Sequence, residues 1–249
     1  MAIFALISDI HANREALEAV LEDIENVGAD RLICLGDVIG YGPDPDACLD
    51  IVAQVCDVMI RGNHDEAVLR GEGETGLRPD VQRAIDLTRD RLSEGHLMLV
   101  ASMRESTVVD GLSLAHGGFT PRRFEYLYDA DAAGRSMESM PTTLGAVGHT
   151  HIPSAFLRAG RTGILSGASS HQVFPGIEIV LPREGSAIVN PGSVGQPRDR
   201  NPWAAWGRLD TDQRTFQVRR VPYDVESVQR KIESIGLPDY HGARLRLGV

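Results

Sequence analysis

The chain has 249 residues, 42% of them hydrophobic and 24% charged, ordinary globular values that exclude a disordered chain, a collagen and a coiled coil. Its formal net charge of −10 repels a nucleic-acid backbone over long range, so any phosphate chemistry needs a local positive feature, and no stable duplex partner is expected. No apolar run approaches the ~20 residues that span a bilayer, no signal-peptide pattern opens the chain, and Cys34, Cys48 and Cys56 lack C-x-x-C spacing, so a cytoplasmic protein without membrane partners or a disulfide framework is expected. Ile3 to Ile7 is a short apolar run ending in Ser8-Asp9, the pattern of a buried strand. Leu17, Val20, Leu21, Ile24 and Val27 follow helical spacing, and Gly28 stops that helix. Arg31 to Leu35 reads as a second strand, ending in Gly36-Asp37, and Asp46 to Gln54 as a helix. Val55 to Ile60 reads as a third strand, ending in Gly62-Asn63-His64-Asp65. This alternation implies βαβ units and a parallel sheet, whose ligands sit at the carboxyl ends of the strands.

Residues 66–100 read as mainly helical, with Pro79 in a first turn. The segment 66–104 either caps a site or packs as a helical layer. Asp110-Gly111, between runs 106–110 and 112–116, signals a hairpin, and 121–140 reads as helix. From Leu144 short strand-like runs alternate with turns: 144–148, 155–158, 162–166, 177–181, 186–190, 203–209 and 214–221. A helix is expected over 224–235 and a flexible Gly/Arg-rich tail over 236–249. No linker or repeat interrupts the chain, so 1–249 reads as one domain, with two sheets packed face to face and helices outside.

Five fragments carry the chemistry: Asp9-Ile10-His11, Gly36-Asp37, Gly62-Asn63-His64-Asp65, His116-Gly117 and Gly148-His149-Thr150-His151. Singly, each has an ordinary reading as a turn, a helix cap or a structural histidine. Together they place ligand-type residues after five separate strands. Carboxylate oxygen and imidazole nitrogen suit borderline metals. In extended chain, D-x-H and H-x-H put alternate side chains on one side, so one strand end offers two ligands. Asp9, His11, Asp37, Asn63, His116, His149 and His151 are too many for one ion and suit two ions sharing a carboxylate.

In this order the fragments resemble the calcineurin-like metallophosphoesterases, in particular their small bacterial and archaeal branch, over residues 2 to about 200. Asn190-Pro191-Gly192-Ser193-Val194-Gly195 also resembles a loop of that branch. The resemblance implies an α/β (α+β) fold: a four-layer αββα sandwich of two mixed β-sheets packed face to face with helices outside. It implies two divalent ions, most often Mn²⁺, with Fe, Ni, Co or Zn as alternatives. Asp9, His11 and His151 would bind the first, Asn63, His116 and His149 the second, and Asp37 both. A metal-bridging hydroxide would attack phosphorus while His64, beside the ions, protonates the leaving oxygen. Two ions also supply the positive feature that the acidic chain lacks.

The implied activity is hydrolysis of a phosphodiester or phosphomonoester, on a phosphorylated small molecule or nucleotide. A dinucleoside polyphosphate hydrolase is the alternative, and a non-catalytic binding scaffold on the same fold a further one. DNA-repair nucleases of the superfamily carry a second histidine three residues after the bridging aspartate, where this chain has Gly40. The turn-rich rim Gly40 to Pro45 makes Tyr41 a candidate for stacking on a base, or else a cover for the loop. Arg198 and Arg122 are candidate phosphate contacts, or solvated charges. Asp65 orients His64 or caps a helix.

Overall fold

A computed structural model describes residues 2–71, 78–160 and 167–249. In chain order its elements are β1 (Ile3–Ile7), α1 (Arg14–Val27), β2 (Arg31–Cys34), α2 (Pro45–Val55), β3 (Val58–Met59), α3 (Asn63–Arg70), α4 (Pro79–Arg91) and α5 (Glu94–Ser102). There follow β4 (Ser106–Val109), β5 (Leu112–Ala115), α6 (Ala130–Ser139), β6 (Leu144–Ala146), β7 (Ser154–Ala159), β8 (Ser169–Gln172), β9 (Glu178–Val180) and β10 (Gly185–Asn190). The chain closes with β11 (Ala204–Asp210), β12 (Thr215–Val221), α7 (Val225–Ser234) and α8 (Asp239–Leu247). Among the described residues no helix is long and apolar enough to cross a membrane.

Two mixed six-stranded sheets form, in the orders β3-β2-β1-β11-β12-β9 and β4-β5-β6-β10-β7-β8. β1, β2 and β3 run parallel, and so do β5, β6 and β10; the remaining pairs are antiparallel. Side chains alternate across each strand, which produces the layers. Phe4, Leu6, Ile33 and Leu35 face inward and meet Leu112, Leu114, Ala187 and Val189 of the second sheet. Ala5, Ile7 and Cys34 face outward, against Leu17 and Val20 of α1 and Leu49 and Val52 of α2. Phe156 and Ile188 turn to the far side, under Ala133 and Met137 of α6. The result is the αββα sandwich.

Most elements lie where the sequence places them. Asp110 and Gly111 both have positive φ, 48° and 81°, as a type I′ hairpin turn requires. Residues 66–104 carry most of α3 and all of α4 and α5, and Val68, Ile85 and Val100 join the outer layer against the first sheet. Four expectations differ. The apolar run 55–60 is divided, its first residue ending α2 and only Val58–Met59 pairing as strand. The helix expected over 121–140 begins only at Ala130, where Asp129 caps it by accepting the N–H of Ala132 at 2.8 Å. The strand β8 was not expected; all four of its residues are exposed, and it lies at a sheet edge beside β7. Residues 236–249 are not a loose tail but include α8, whose His241 and Leu245 are buried against α7 and its surroundings. The strand expected over 162–166 lies outside the described residues.

Candidate metal centre

The site forms where β1, β2, β3, β5 and β6 end, at one rim of the sandwich. The chains leaving β1 and β2 stay joined past the last strand residue: the N–H groups of Asp9, His11 and Ala12 donate to Gly36, Asp37 and Val38 at 2.9, 3.0 and 2.8 Å. Asp9, His11, Asp37, His149 and His151 all have positive φ, between 48° and 68°. Left-handed backbone at a non-glycine residue is strained by about 1 kcal/mol or more and concentrates at functional sites. Asp9 with His11, and His149 with His151, therefore reach one site through left-handed turns, not through the extended chain expected of them.

Every expected ligand converges. Asp9, His11 and His151 present atoms within 4.8 Å of one another, as do Asp37, His116 and His149, and also His11, Asp37 and His64. Asn63 joins them, its Oδ1 lying 3.2 Å from His116 Nε2. The Asp37 Oδ2 atom faces both groups, 3.3 Å from His116 Nε2 and 3.7 Å from His11 Nε2.

Backbone carbonyls set the tautomers. Nδ1 of His11, His116 and His151 lies 3.3, 2.8 and 2.6 Å from the carbonyls of Ile39, Leu35 and Gln196, which can only accept. Nδ1 therefore carries hydrogen, and a neutral ring points a lone pair from Nε2 into the site. Burial pushes His11 and His151 well below the usual imidazole range, and His149 down to about 3, so these rings are neutral. The Nε2 atoms of His11 and His151 then face each other at 3.2 Å with no hydrogen between them. Asp9 Oδ1 lies 3.4 Å from His151 Nε2 and accepts no hydrogen bond. Three buried lone-pair atoms aimed at one point fit a cation. Burial also lowers His116, but the neighbouring Asp37 carboxylate overrides it and raises that ring to about 9.

Two glycines make the approach possible. A Cβ on Gly62 would stand 2.0 Å from Asp37 Oδ1, so only glycine lets the α3 loop close on that carboxylate. A Cβ on Gly40, whose φ is +87°, would stand 2.8 Å from His64 Nδ1. The space that a histidine at position 40 would enter is thus taken by His64. His64 itself is buried, and its backbone N–H donates to Asp37 Oδ1 at 2.9 Å. Asp65 does not orient the His64 ring. Its carboxylate accepts N–H groups from Gly62, Asp37 and Val38 at 2.8, 2.9 and 3.0 Å, so it caps α3 and ties together the two loops that carry Asp37 and Asn63.

A model of the calcineurin-like phosphoesterase superfamily domain matches residues 1–214. The chain belongs to that superfamily. An uncharacterised protein of Methanocaldococcus jannaschii is 32% identical over 99% of this chain and 98% of its own length. The crystal structure of a metallophosphoesterase from Sphaerobacter thermophilus, 34% identical, superimposes with a TM-score of 0.87 over 100% of both chains. A hypothetical protein from Pyrococcus horikoshii, 17% identical, shares the fold at a TM-score of 0.78 over 100% of this chain and 99% of its own. With the family comes the reaction class: this calcineurin-like protein is a metal-dependent hydrolase of phosphoric esters.

Around the phosphoesterase centre the substrate-contact candidates separate. Arg198 is half-buried, its Nη2 donates to Gln196 Oε1 at 3.0 Å, and its charge bears on Asp9, His11, His64 and His151. Arg122 is exposed, and its charge bears on Glu125. The Tyr41 ring packs among imidazoles, 4.3 Å from His64, 4.8 Å from His11 and 5.2 Å from His241. Sequence reasoning passed over Tyr126, whose ring stacks on His149 at 3.9 Å. The signal for it was the alternation Phe124, Tyr126, Tyr128. A cavity of about 260 Å³ opens beside Asn63 and His64, walled by Ala67, Val81, Ile85 and Phe124 together with the charged Glu66 and Arg70.

Proposed function

We propose that this phosphoesterase holds two divalent ions, with Asp9, His11 and His151 on one, Asn63, His116 and His149 on the other, and Asp37 on both. The observation that carries the reading is the single Asp37 oxygen facing both groups, at 3.3 and 3.7 Å from their imidazoles. A donor set of nitrogen and oxygen without thiolate suits Mn²⁺, with Fe, Co, Ni and Zn as alternatives. When bound, the ions acidify water and withdraw charge from the phosphoryl oxygens.

The remaining work falls to this chain's own residues. His64 gives its proton to the leaving oxygen. Burial lowers its pKa and the Asp37 charge opposes that, which makes the imidazolium a willing donor when it forms. The cavity beside His64 receives the departing group: its walls are apolar at Ala67, Val81, Ile85 and Phe124 and charged at Glu66 and Arg70, which suits an organic alcohol bearing polar groups on a phosphodiester or phosphomonoester. Arg198 adds positive charge at the rim, for the phosphoryl oxygens. Tyr41 lends no support to the dinucleoside polyphosphate alternative, since its ring is already packed against three imidazoles. A binding scaffold would have no use for the buried, strained lone-pair constellation.

The test is hydrolysis of bis-p-nitrophenyl phosphate with added Mn²⁺, in wild type and His64→Ala. The variant is expected to keep two ions per chain by elemental analysis. It should lose ~10²–10⁴-fold in kcat/KM on a nucleotide diester, whose alkoxide needs the proton, and clearly less on the nitrophenyl ester. Equal losses on both substrates, or loss of an ion, would sink the general-acid role. No turnover with Mn, Fe, Co, Ni or Zn would sink the two-ion reading.

A further inference from the structure

Beyond the ligand set, a row of parallel rings leads from the metal centre to the surface. The Tyr126 ring lies on the His149 imidazole, with centroids 3.9 Å apart and planes 16° from parallel. The Tyr128 ring lies on Tyr126, 5.2 Å away and 5° from parallel. At that separation parallel rings are slipped, so part of each face stays open. Tyr126 is 44% exposed and Tyr128 56%, while Leu127 between them is 2% exposed and anchors the segment. This is the alternation of extended chain, which sends residues 126 and 128 to one side. The charge of Arg198 bears on Tyr126 as it does on the candidate ligands.

Two exposed, coplanar-stacking aromatic rings have no packing task that smaller polar residues would not serve as well. Their place relative to the chemistry assigns them one. His149 belongs to one ligand cluster and Tyr126 stacks on it, so a substituent of a phosphoryl group held there, other than the group leaving beside His64, would come within reach of Tyr126. We propose that Tyr126 and Tyr128 form a stacking subsite for the base of a nucleotide, so that the substrate of this phosphoesterase carries a nucleobase. The proposal rests on the phosphoesterase reading above and names its substrate class. Stacking tolerates any base, since every base has a π-face, so the subsite selects nucleotides over aliphatic phosphates without choosing strongly among bases. The hydroxyls are not needed for it; the ring faces are.

The experiment compares AMP with ribose 5-phosphate, which share phosphate and sugar and differ by the base. Inhibition constants are measured from initial rates of bis-p-nitrophenyl phosphate hydrolysis by the Mn²⁺-loaded protein. Saturation-transfer NMR on the adenine protons supplies a readout independent of turnover. AMP should bind about tenfold or more tightly than ribose 5-phosphate, the scale of one base stacked on an aromatic side chain. Tyr128→Leu should bring AMP to the level of ribose 5-phosphate, leave ribose 5-phosphate unchanged and remove the adenine transfer signal. Tyr128→Phe, which keeps the ring, should behave as wild type. Equal inhibition by the two ligands, or equal weakening of both by Tyr128→Leu, overturns the subsite and leaves the phosphoesterase reading standing. Absence of any hydrolysis with every metal overturns that reading, and the subsite with it.

Discussion

The carboxylate of Asp65 touches no expected ligand side chain, yet it accepts backbone N–H groups from both sides of the site: Gly62 at 2.8 Å, Asp37 at 2.9 Å, Val38 at 3.0 Å and Ile39 at 3.3 Å. Removing it leaves four buried donors without acceptors, each costing about 1–3 kcal/mol before relaxation. Asp65→Ala is therefore expected to lose about 3 kcal/mol or more of stability and to bind metal poorly, although no proposed ligand is altered. Urea denaturation with elemental analysis checks both, and an unchanged midpoint with full metal content would refute the role. Away from the site, Asp23 plays a comparable part for α1. Its Oδ2 accepts Trp206 Nε1 and Arg219 Nε, both at 2.7 Å, and its Oδ1 accepts Arg219 Nη2 at 2.8 Å. The Arg219 hydrogen bonds hold the Asp23 carboxyl below its ordinary 3.8 despite partial burial. A carboxyl lowered in the folded state contributes fully above its unfolded value and loses that contribution as pH falls through the folded one. Asp23→Asn should thus cost about 1 kcal/mol at neutral pH, a figure kept small by the solvent around Arg219. The difference from wild type should shrink below about pH 4, as thermal melts across that range would show. A constant difference across the range would remove the ionic account.

At the scale of elements, α8 reaches the chemistry indirectly. Its His241 ring lies 5.2 Å from Tyr41, and Tyr41 lies 4.3 Å from His64. Deleting residues 238–249 withdraws that backing. Metal content should persist, because no proposed ligand lies in the deleted segment, while kcat falls, by up to ~10²-fold if His64 shifts by an ångström. A truncated enzyme with full kcat would show that α8 only covers α7. This helix was hard to foresee because Gly242 interrupts its sequence. In the fold Gly242 lies against Gln229, whose Nε2 donates to its carbonyl at 2.9 Å, so packing replaces propensity. β8 was invisible for another reason: Ser169, Ser170, His171 and Gln172 are all exposed, and an edge strand held by backbone bonds needs no apolar alternation. In 121–129, Phe124, Leu127 and Tyr128 have helical spacing, while Phe124, Tyr126 and Tyr128 have extended spacing. Burial of Leu127 alone decides between them. The inner strands and the ligand fragments were legible because each apolar run stops abruptly at a charged or polar group. The left-handed turns that aim those groups were not, since no glycine marks Asp9, His11 or His151 themselves.

For the whole molecule, the proposed centre would work as a clasp. Its proposed ligands follow β1, β2 and β3 of one sheet and β5 and β6 of the other, so bound ions would join the two sheets where they open. Ligands that bind only the native state stabilise it by mass action, by about 2.7 kcal/mol at a hundredfold excess over Kd. EDTA should lower Tm by several degrees and abolish hydrolysis, and Mn²⁺ should restore both; unchanged melting after verified metal removal would contradict the clasp. The same first sheet has a consequence in time. β1 lies in its interior, with β2 on one side and β11, which starts at Ala204, on the other. During synthesis β1 can pair with β2 as soon as α1 and β2 have followed it. Its other edge stays bare until about two hundred further residues have been translated. For most of that interval the nascent chain carries an open row of backbone donors and acceptors, a template for mispairing with neighbouring chains. The order in which this sheet is made, as much as its final energy, sets where a chaperone would be needed.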